Sequence, residues 1–392
     1  MLSSPEILTA APAPWSAQVG AIEVHGGAGC LAELVPAIGQ LGGSRVLLVT
    51  DPGVRRSGAV ERVTDQLAAS TLVEIFDRVD ENPSDLQVED GTAVAEDFGP
   101  DLLLAVGGGS AMDCAKGINF LLTNGGPMDR WQGHHQPREP MLPSIGIPTT
   151  AGTGSEAQSF ALISRSSDHQ KMACGAPGAR FRKVFLEPDL VTTVPAGVAA
   201  ATGMDALSHA VESYVTTRGN PISRLLAAEA WRLLASSIDA YLTKRERGAE
   251  ALLGSHLAGA AIEQSMLGAA HATANPLTAR WGVTHGVAVG LTLPPVVRFN
   301  APVAAERYGE LLAIAGLGEP GAADAAEGLA RWLESFRRRA RLPESLSALG
   351  HSGIDSATLA ALAADAQGQW TGTFNPRALE AQDFVELYRS IL

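Results

Sequence analysis

The sequence predicts an α/β N-terminal domain, residues 1–192, followed by an all-α C-terminal domain, residues 193–392. The 392 residues exceed the roughly 250–300 at which a single hydrophobic core stops growing, so two cores are expected. In the first half, short apolar runs alternate with helical patterns, which is typical of a parallel sheet covered by helices. In the second half, Ala- and Leu-rich segments have helical spacing throughout.

The strands of the first domain are predicted at β-rich apolar runs that end in turns containing Gly or Asp. These runs cover residues 45–51, 101–106 and 144–148. They are apolar almost without interruption, as expected for strands that are buried on both faces. Pro188 and Pro195 interrupt the pattern between residues 187 and 195, where we place the domain boundary. Beyond it, helices are predicted at residues 222–242, 249–270 and 322–340.

The composition limits the partners and the compartment. A net charge of −13 and a pI near 5.2 argue against a nucleic-acid or anionic-membrane partner, because both need a basic face. The three cysteines form no Cys-x-x-Cys pair and no disulfide framework, which indicates a reducing compartment. Residues 1–15 lack a signal-sequence pattern, and no run reaches the ~18 apolar residues of a membrane span. We expect a cytoplasmic protein that acts on a small molecule, as a homodimer or larger homo-oligomer.

Three glycines follow the predicted strand 101–106, in the segment Gly107-Gly-Gly-Ser-Ala-Met-Asp-Cys-Ala-Lys116. Glycine lets the backbone approach a pyrophosphate closely, and the first N–H groups of the following helix favour an anion. The segment does not match the G-x-G-x-x-G fingerprint, and a tight strand-to-helix turn would use the same glycines. Local sequence alone therefore leaves a nucleotide site and a structural turn as alternatives.

Two further features point to the same edge of the sheet. The segment Pro148-Thr-Thr-Ala-Gly-Thr-Gly-Ser-Glu156 follows a predicted strand, and it offers hydroxyl and backbone donors where ligands bind in open α/β sheets. Asp51 closes the strand 45–51, where a carboxylate can accept hydrogen bonds from ribose hydroxyls and repel a 2′-phosphate. It can equally start the turn Asp51-Pro-Gly53. Together with the glycines, Asp51 favours NAD over NADP.

The second half contains a candidate metal site. Asp205 and His209 are four residues apart in a helical pattern, so their side chains project from one face. His271 and His285 follow later in the chain. Three imidazoles and one carboxylate suit Zn²⁺ or Fe²⁺, whereas Ca²⁺ and Mg²⁺ prefer oxygen ligands.

We expect a helix that ends at Pro276 and a loop at Gly286 to bring His271 and His285 over Asp205 and His209. Each residue also has a simpler interpretation: a histidine on a helix is often only half-buried, and an aspartate near a helix start is often an N-cap. Their concentration favours a metal site, because the helical half has only two other histidines, His256 and His351. His134 and His135 are predicted to lie in a surface loop.

These motifs, in this order, resemble the iron-containing, or group III, alcohol dehydrogenase family over nearly the whole chain. The resemblance implies an N-terminal Rossmann-like dinucleotide-binding domain and an all-α metal-binding domain, the fold shared with dehydroquinate synthase, with the active site in the cleft between them. It rests on the segments 107–116, 148–156, Gly203-Met-Asp-Ala-Leu-x-His209 with Glu212 and Tyr214, and His271 through His285-Gly to Leu293-Pro and Asn300.

The resemblance assigns the metal to the four residues that spacing also selects. It places the pyrophosphate turn at Gly108, Gly109 and Ser110, with Asp113 in the same motif. Asn82-Pro83 resembles the family's Asn-Pro-Thr turn near the active site. The remaining cofactor residues that it implies are Asp51, Thr149, Thr150 and Lys171.

The chain departs from the family pattern at two places. Many members have a histidine four residues after the third ligand, whereas this chain has Asn275, which we expect to orient substrate or cofactor without exchanging a proton. The segment after Trp281 also differs from the small and aromatic residues expected there, and Arg280 and Trp281 are expected to shape an unusual pocket. Arg280 has two interpretations: it binds an anionic substrate, or it is an ordinary surface charge.

The implied reaction is hydride transfer between NAD(H) and a small alcohol or aldehyde. Fe²⁺ is the expected metal, with Zn²⁺ as the alternative, and such a metal lowers the pKa of an alcohol hydroxyl. Two related enzymes are rival interpretations. A dehydroquinate-synthase-like cyclase uses NAD and a Glu-His-His metal set, and a maleylacetate-reductase-like enzyme uses no metal. Asp205 and the three histidines argue against both.

Overall fold

The computed structural model describes residues 13–69, 71–168, 170–319, 321–322 and 324–392. Residues 1–15, in which the sequence shows no signal-sequence pattern, therefore lie mostly outside the described residues. The chain divides into two compact units. The first contains the described residues up to Thr150, with Ser159–Val194 and Arg247–Leu252; the second contains Ala151–Gln158, Pro195–Glu246 and Leu253–Leu392. A single boundary between residues 192 and 193 stays a prediction.

The first unit is built on two sheets. Their strands are β1 Trp15–Val19, β2 Ile22–Gly26, β3 Arg45–Val49, β4 Leu72–Phe76, β5 Leu102–Gly107, β6 Gly133–His134, β7 Ser144–Pro148, β8 Phe160–Ser164, β9 Lys171–Gly175 and β10 Lys183–Leu186. The larger sheet has the order β1-β2-β10-β7-β5-β3-β4 and is parallel except for the antiparallel β1–β2 pair. The smaller sheet has the order β6-β9-β8. The helices are α1 Leu34–Gln40, α2 Pro52–Arg56, α3 Ala59–Thr64, α4 Asp85–Phe98 and α5 Gly109–Asn124.

The central strands of this sheet are buried on both faces, as their continuous apolar sequence predicts. In β3 and β5, Leu47, Leu48, Leu103 and Leu104 are all fully buried. Strand β3 pairs with β5, and β5 with β7, each in parallel. The carboxyl ends of these three strands therefore lie side by side, which places the residues that follow them along one edge.

The second unit is helical, so the predicted change from an α/β half to a helical half is confirmed. Its helices are α6 Ala196–Val215, α7 Pro221–Lys244, the larger part of α8 Gly248–Gln264, α9 Ala269–Trp281, α10 His285–Ile314, α11 Ala325–Arg339, α12 Ser356–Gln367 and α13 Ala381–Arg389. Single 3-10 turns in the two units lie at Cys30–Glu33, Met128–Trp131, Ser155–Ala157, Pro177–Ala179, Pro188–Val191, Ser347–Leu349 and Trp370–Phe374.

Helices α6 and α10 form the centre of the second unit. Residues 203–215 of α6 are buried on every side, as expected of a helix that is surrounded by others. The start of α10 lies directly against α6: a Cβ at Gly286 would stand 2.0 Å from the carbonyl oxygen of Ala201. Only a glycine at residue 286 allows the two backbones to touch here.

Three details of the helical prediction are wrong. Helix α9 does not end at Pro276 but continues to Trp281, because the proline ring is buried beside Leu277, and this packing outweighs the lost backbone hydrogen bond. Gly286 is not in a loop, since α10 begins at His285. The predicted segment 249–270 is interrupted after Gln264, and the next helix begins only after Gly268.

By length and composition alone, α10 could cross a membrane. However, 61% of its most apolar window is buried inside the structure. The core helix of a globular unit has the same properties, because it is apolar on all sides. The composition of α10 is therefore weak evidence for a membrane span.

Candidate active site

The four predicted metal ligands come together in the second unit. Asp205 and His209 project from one face of α6, His271 lies in the first turn of α9, and His285 is the first residue of α10. All three histidines present Nε2 to one carboxylate oxygen. Asp205 Oδ1 lies 3.4 Å from Nε2 of His209, 3.7 Å from that of His271 and 3.6 Å from that of His285.

These separations are those of atoms that share one metal ion. Bonds of about 2.1 Å in a tetrahedral arrangement place neighbouring ligand atoms about 3.4 Å apart. The ligand atoms of Asp205, His271 and His285 all lie within 4.8 Å of one another, and His209 Nε2 adds a fourth donor beside the same oxygen. Three nitrogens and one oxygen fit Fe²⁺ or Zn²⁺.

Burial gives a second indication of a cation. Asp205, His209 and His271 are at most 5% exposed, and Asp205 Oδ1 and His271 Nε2 are buried without a hydrogen-bond partner among the described residues. A buried polar atom without a partner is costly unless a ligand satisfies it. The side chain of His285 is 24% exposed, so the group is open on that side.

The carboxylate is held in its charged form. Burial raises the pKa of Asp205, but the interactions of its carboxylate with His209, His271 and His285 outweigh burial and hold that pKa well below its usual range. Burial lowers the pKa of His209. Burial also acts to lower the pKa of His271, but the nearby carboxylates of Asp205 and Glu212 raise it to about 9. In the metal-free protein His271 therefore holds a proton more tightly than a free imidazole does.

In the first unit, the predicted nucleotide residues lie together along the carboxyl edge of the sheet. Thr149 donates its backbone N–H to Gly107 O at 2.9 Å, which joins the ends of β7 and β5. Thr150 Oγ1 would lie 3.3 Å from a Cβ at Gly108, and Asp51 Oδ2 would lie 3.4 Å from a Cβ at Gly107. The glycine turn thus lies between the Asp51 carboxylate and the Thr150 hydroxyl.

Helix α5 begins at this turn and presents its N-terminus there. Its N-cap is Gly108, which supplies no side-chain cap to the N–H groups of the first turn, including those of Gly109 and Ser110. Ser110 Oγ accepts a 3.2 Å hydrogen bond from the backbone N–H of Asn82, whose φ is +58°. The turn at Asn82-Pro83 therefore borders the glycine turn.

The structure also supports the simpler interpretation of Asp51. Its Oδ1 accepts hydrogen bonds from the N–H groups of Gly53 and Val54, at 2.8 and 2.9 Å, and so caps α2. One carboxylate oxygen therefore has a structural role, and the other faces the glycine turn. The two interpretations of Asp51 are compatible.

Two predicted cofactor residues lie elsewhere in the first unit. Asp113 is buried on α5, with its carboxylate 3.7 Å from Nζ of the buried Lys116. Lys171 begins β9 of the smaller sheet, opposite Ser164 of β8, rather than at the edge that carries the glycine turn.

The glycines of the segment 148–156 have packing roles within the second unit. A Cβ at Gly152 would lie 2.4 Å from Thr202 Cβ, and one at Gly154 would lie 2.7 Å from Gly259 Cα. At the end of the segment, Glu156 Oε1 lies 3.2 Å from Nδ1 of His256, and both residues are buried. No local pattern in the sequence predicts this pair. Packing and pairing within the second unit therefore account for Gly152, Gly154 and Glu156 without a ligand.

Asn275 and Arg280 both have side-chain partners within the second unit. Asn275 Nδ2 donates to Gln369 Oε1 at 2.9 Å. Arg280 pairs with the exposed carboxylate of Asp365, so its charge is already neutralised at the surface. Trp281 stacks on His351 with ring centroids 4.5 Å apart. An anionic substrate bound by Arg280 is therefore not supported.

Comparison with known proteins identifies the family. Residues 22–188 match the profile of iron-containing alcohol dehydrogenase, and residues 199–392 match that of the C-terminal part of the Fe-containing alcohol dehydrogenase family. The chain belongs to the iron-containing alcohol dehydrogenase family. The predicted resemblance is confirmed, and the enzyme is an oxidoreductase of the alcohol and aldehyde class.

Individual members of the family are similar along almost their whole length. The chain is 31% identical to the NAD-dependent methanol dehydrogenase of Bacillus methanolicus, covering 93% of this chain and 97% of the relative. It is 31% identical to the lactaldehyde reductase of Escherichia coli strain K12, covering 93% and 96%. A solved 1,3-propanediol oxidoreductase is 30% identical, with a TM-score of 0.88 over 93% of this chain and 97% of that one. The predicted fold class is thereby confirmed.

Proposed function

We propose that this family member transfers a hydride between NAD(H) and a small alcohol or aldehyde, with Fe²⁺ held by Asp205, His209, His271 and His285. The observation that carries the proposal is that three imidazole nitrogens lie 3.4–3.7 Å from one buried carboxylate oxygen. When bound, the metal supplies a Lewis acid for the alcohol or carbonyl oxygen, and the nicotinamide supplies or accepts the hydride.

The side chains of the chain itself have distinct tasks. Asp205 supplies the negative charge that attracts the cation, and burial of its carboxylate strengthens that attraction. The partial exposure of His285 supports substrate entry from that side. Asn275 lies one helical turn after His271, and the hydrogen bond of its amide to Gln369 favours an orienting role, since an amide does not ionise near neutral pH.

The dinucleotide is assigned to the first unit. The uncapped N-terminus of α5 supports a pyrophosphate at Gly108, Gly109 and Ser110. The Asp51 oxygen that faces the glycine turn supports a ribose contact and selection against a 2′-phosphate. The name of the methanol dehydrogenase relative agrees with NAD as the cofactor.

The test is a substrate screen with defined metal content. The protein is stripped with a chelator, reloaded with Fe²⁺ under anaerobic conditions or with Zn²⁺, and assayed for NADH formation from short alcohols and diols. We expect turnover only in the loaded protein, and none in Asp205→Asn, which should still bind NADH with unchanged fluorescence. Full activity in the stripped protein would contradict the proposal, and reduction of maleylacetate without metal would favour the rival enzyme.

We also propose that the protein is cytoplasmic and forms a homodimer or larger homo-oligomer. Its three cysteines are free and buried, which suits a reducing compartment. Strand β1 lies at the end of the larger sheet, and in the part of the chain that the structure describes no strand pairs with its outer edge. Such an edge can pair with a second copy. Light scattering coupled to size exclusion tests the oligomeric state, and a monomer at micromolar concentration would contradict it.

A further inference from the structure

A buried carboxylate stands directly behind the candidate metal ligands. Glu212 lies on α6 seven residues after Asp205 and three after His209, so all three side chains project from the same side of the helix. Glu212 is 3% exposed. A carboxylate in such a place is stable only if its oxygens are satisfied.

Both oxygens of Glu212 accept hydrogen bonds from the start of α9. Oε1 accepts from the backbone N–H of Ala270 at 2.7 Å, and Oε2 lies 2.5 Å from Nδ1 of His271. The N-cap of α9 is Gly268, which has no side chain to satisfy the first N–H groups. A residue on another helix therefore caps α9 and holds its imidazole at the same time.

These contacts determine which imidazole nitrogen carries the proton. A carboxylate only accepts hydrogen bonds, so His271 must donate from Nδ1. In the neutral ring, Nε2 then has its lone pair free, and Nε2 is the atom that lies 3.7 Å from Asp205 Oδ1. The ring is thus fixed in the one tautomer in which Nε2 can bind a metal.

We propose that Glu212 is a positioning residue for the metal centre: by accepting from both Ala270 N–H and His271 Nδ1–H, it fixes the rotation and the tautomer of His271. This inference rests on the proposed function, since it concerns the same metal site. Glu212 itself does not touch the metal or the substrate in this scheme.

A substitution by glutamine separates this role from simple helix capping. The glutamine amide has one acceptor oxygen and one donor nitrogen, where the carboxylate has two acceptors. If the oxygen serves Ala270, the amide nitrogen faces His271 Nδ1 and forces the proton to Nε2. If the oxygen serves His271, two donors oppose each other at Ala270, and this arrangement is disfavoured because the backbone N–H cannot move its proton as an imidazole can. Either arrangement disturbs the site although side-chain volume is unchanged.

The start of α9 provides a matched control. Asn375 is also buried, and its Oδ1 accepts a 3.2 Å hydrogen bond from the backbone N–H of Ala269. Ala269 directly precedes Ala270, whose N–H donates to Glu212. Asn375→Ala removes this acceptor from the same helical turn, together with the hydrogen bonds of Asn375 to Asn300 and Arg377, but it does not remove a partner of the imidazole. A role limited to capping predicts a loss of Zn²⁺ affinity in both variants.

The experiment compares the full-length wild type, Glu212→Gln and Asn375→Ala. The Zn²⁺ dissociation constant is measured by chelator competition. The tautomer of His271 is measured by two-bond ¹H–¹⁵N correlations in the metal-free proteins at a pH above 9, where the ring is neutral and no metal imposes the tautomer, with the signal assigned by its absence in His271→Gln. We expect Glu212→Gln to weaken Zn²⁺ binding by about 10- to 100-fold and to lose the Nδ1–H tautomer. Asn375→Ala should lower Tm but keep the tautomer.

The outcomes distinguish this inference from the proposed function. If the wild type binds Zn²⁺ and Glu212→Gln keeps both the affinity and the tautomer, the positioning role is overturned and the metal site stands. Equal losses of affinity in Glu212→Gln and Asn375→Ala, with the tautomer unchanged, would also overturn it in favour of capping. A wild type that binds no divalent metal would overturn the proposed function together with this inference.

Discussion

The amide nitrogen of Asn275 donates a 2.9 Å hydrogen bond to Gln369 Oε1, one helical turn beyond His271. This pair occupies the place where many members of the family have a histidine. Both partners are amides, and neither ionises near neutral pH. The pair therefore supplies fixed hydrogen-bonding groups in place of an acid or base.

Asn275→His should introduce an ionisation into the pH dependence of kcat between about pH 6 and 8, because an imidazole titrates near 6.5. The metal content should be unchanged, since none of the four proposed ligands is altered. pH–rate profiles and metal analysis of both proteins test this, with Gln369→Ala as the control that breaks the amide pair without adding an imidazole. Identical profiles would place residue 275 outside the proton path.

Asp51→Ser should relax the preference for NAD. A serine still caps α2, as Asp51 Oδ1 does, but it lacks the charge that opposes a 2′-phosphate. Hydrogen bonds to charged groups contribute on the order of 1.5–3 kcal/mol, so the NAD/NADP ratio of kcat/KM should fall at least about tenfold. Asp51→Ala, which also loses the cap, should in addition lower Tm. An unchanged ratio in both variants would leave Asp51 with its capping role alone.

Gly268→Ala should disturb metal binding while the fold is kept. A Cβ at this residue would lie 2.9 Å from Glu212 Oε1 and 3.0 Å from Asn375 Oδ1, so the methyl group displaces both acceptors at the start of α9. We expect weaker Zn²⁺ binding, with far-UV circular dichroism unchanged. Gly197→Ala is the control, because on α6 it would meet nothing within 4 Å. If both variants bind Zn²⁺ equally well, the crowding at Gly268 has no functional effect.

The stability of the metal-free protein should fall as the pH rises from about 6.5 to 9. Histidine titrates near 6.5 in an unfolded chain, whereas the pKa of His271 in the folded protein is raised to about 9. Between these values the folded state holds the extra proton, so its contribution to stability is complete below the window and is lost above it. His209, whose pKa is lowered, is neutral in both states there.

Urea unfolding in the presence of a chelator measures this dependence. The unfolding free energy should decrease by at most about 1.4 kcal/mol per pH unit within the window. His271→Gln removes the titrating group and should show a flatter profile. The same slope in both proteins would assign the effect to other residues.

Local patterns in the sequence predicted the elements that depend on local chemistry. The apolar runs placed β3, β5 and β7, and the four-residue spacing placed Asp205 and His209 on one helical face. The elements predicted to bring His271 and His285 to them, a helix that ends at Pro276 and a loop at Gly286, are wrong. Local rules end a helix at a proline, but the buried environment of Pro276 lets α9 continue.

Buried pairs that join distant parts of the chain could not be predicted in the same way. Asn375 and Ala269 are 106 residues apart, and Glu156 and His256 are 100 apart, so no local pattern joins either pair. Glu212 is different, because its distance of seven residues from Asp205 already places it on the ligand face of α6. The sequence contained that signal, but its partner on α9 became evident only with the tertiary structure.

The contact between Gly286 and Ala201 has a consequence for how the enzyme acquires its metal. Because the backbones of α6 and α10 touch, the side chains that start α10 and those that line α6 belong to one packed helical core. Packing therefore limits how far the donor atoms can move apart, and an ion has to fit the separations that they already have. Nitrogen and oxygen donors of this kind accept Zn²⁺ as well as Fe²⁺, so the supply of each metal during loading contributes to the choice between them.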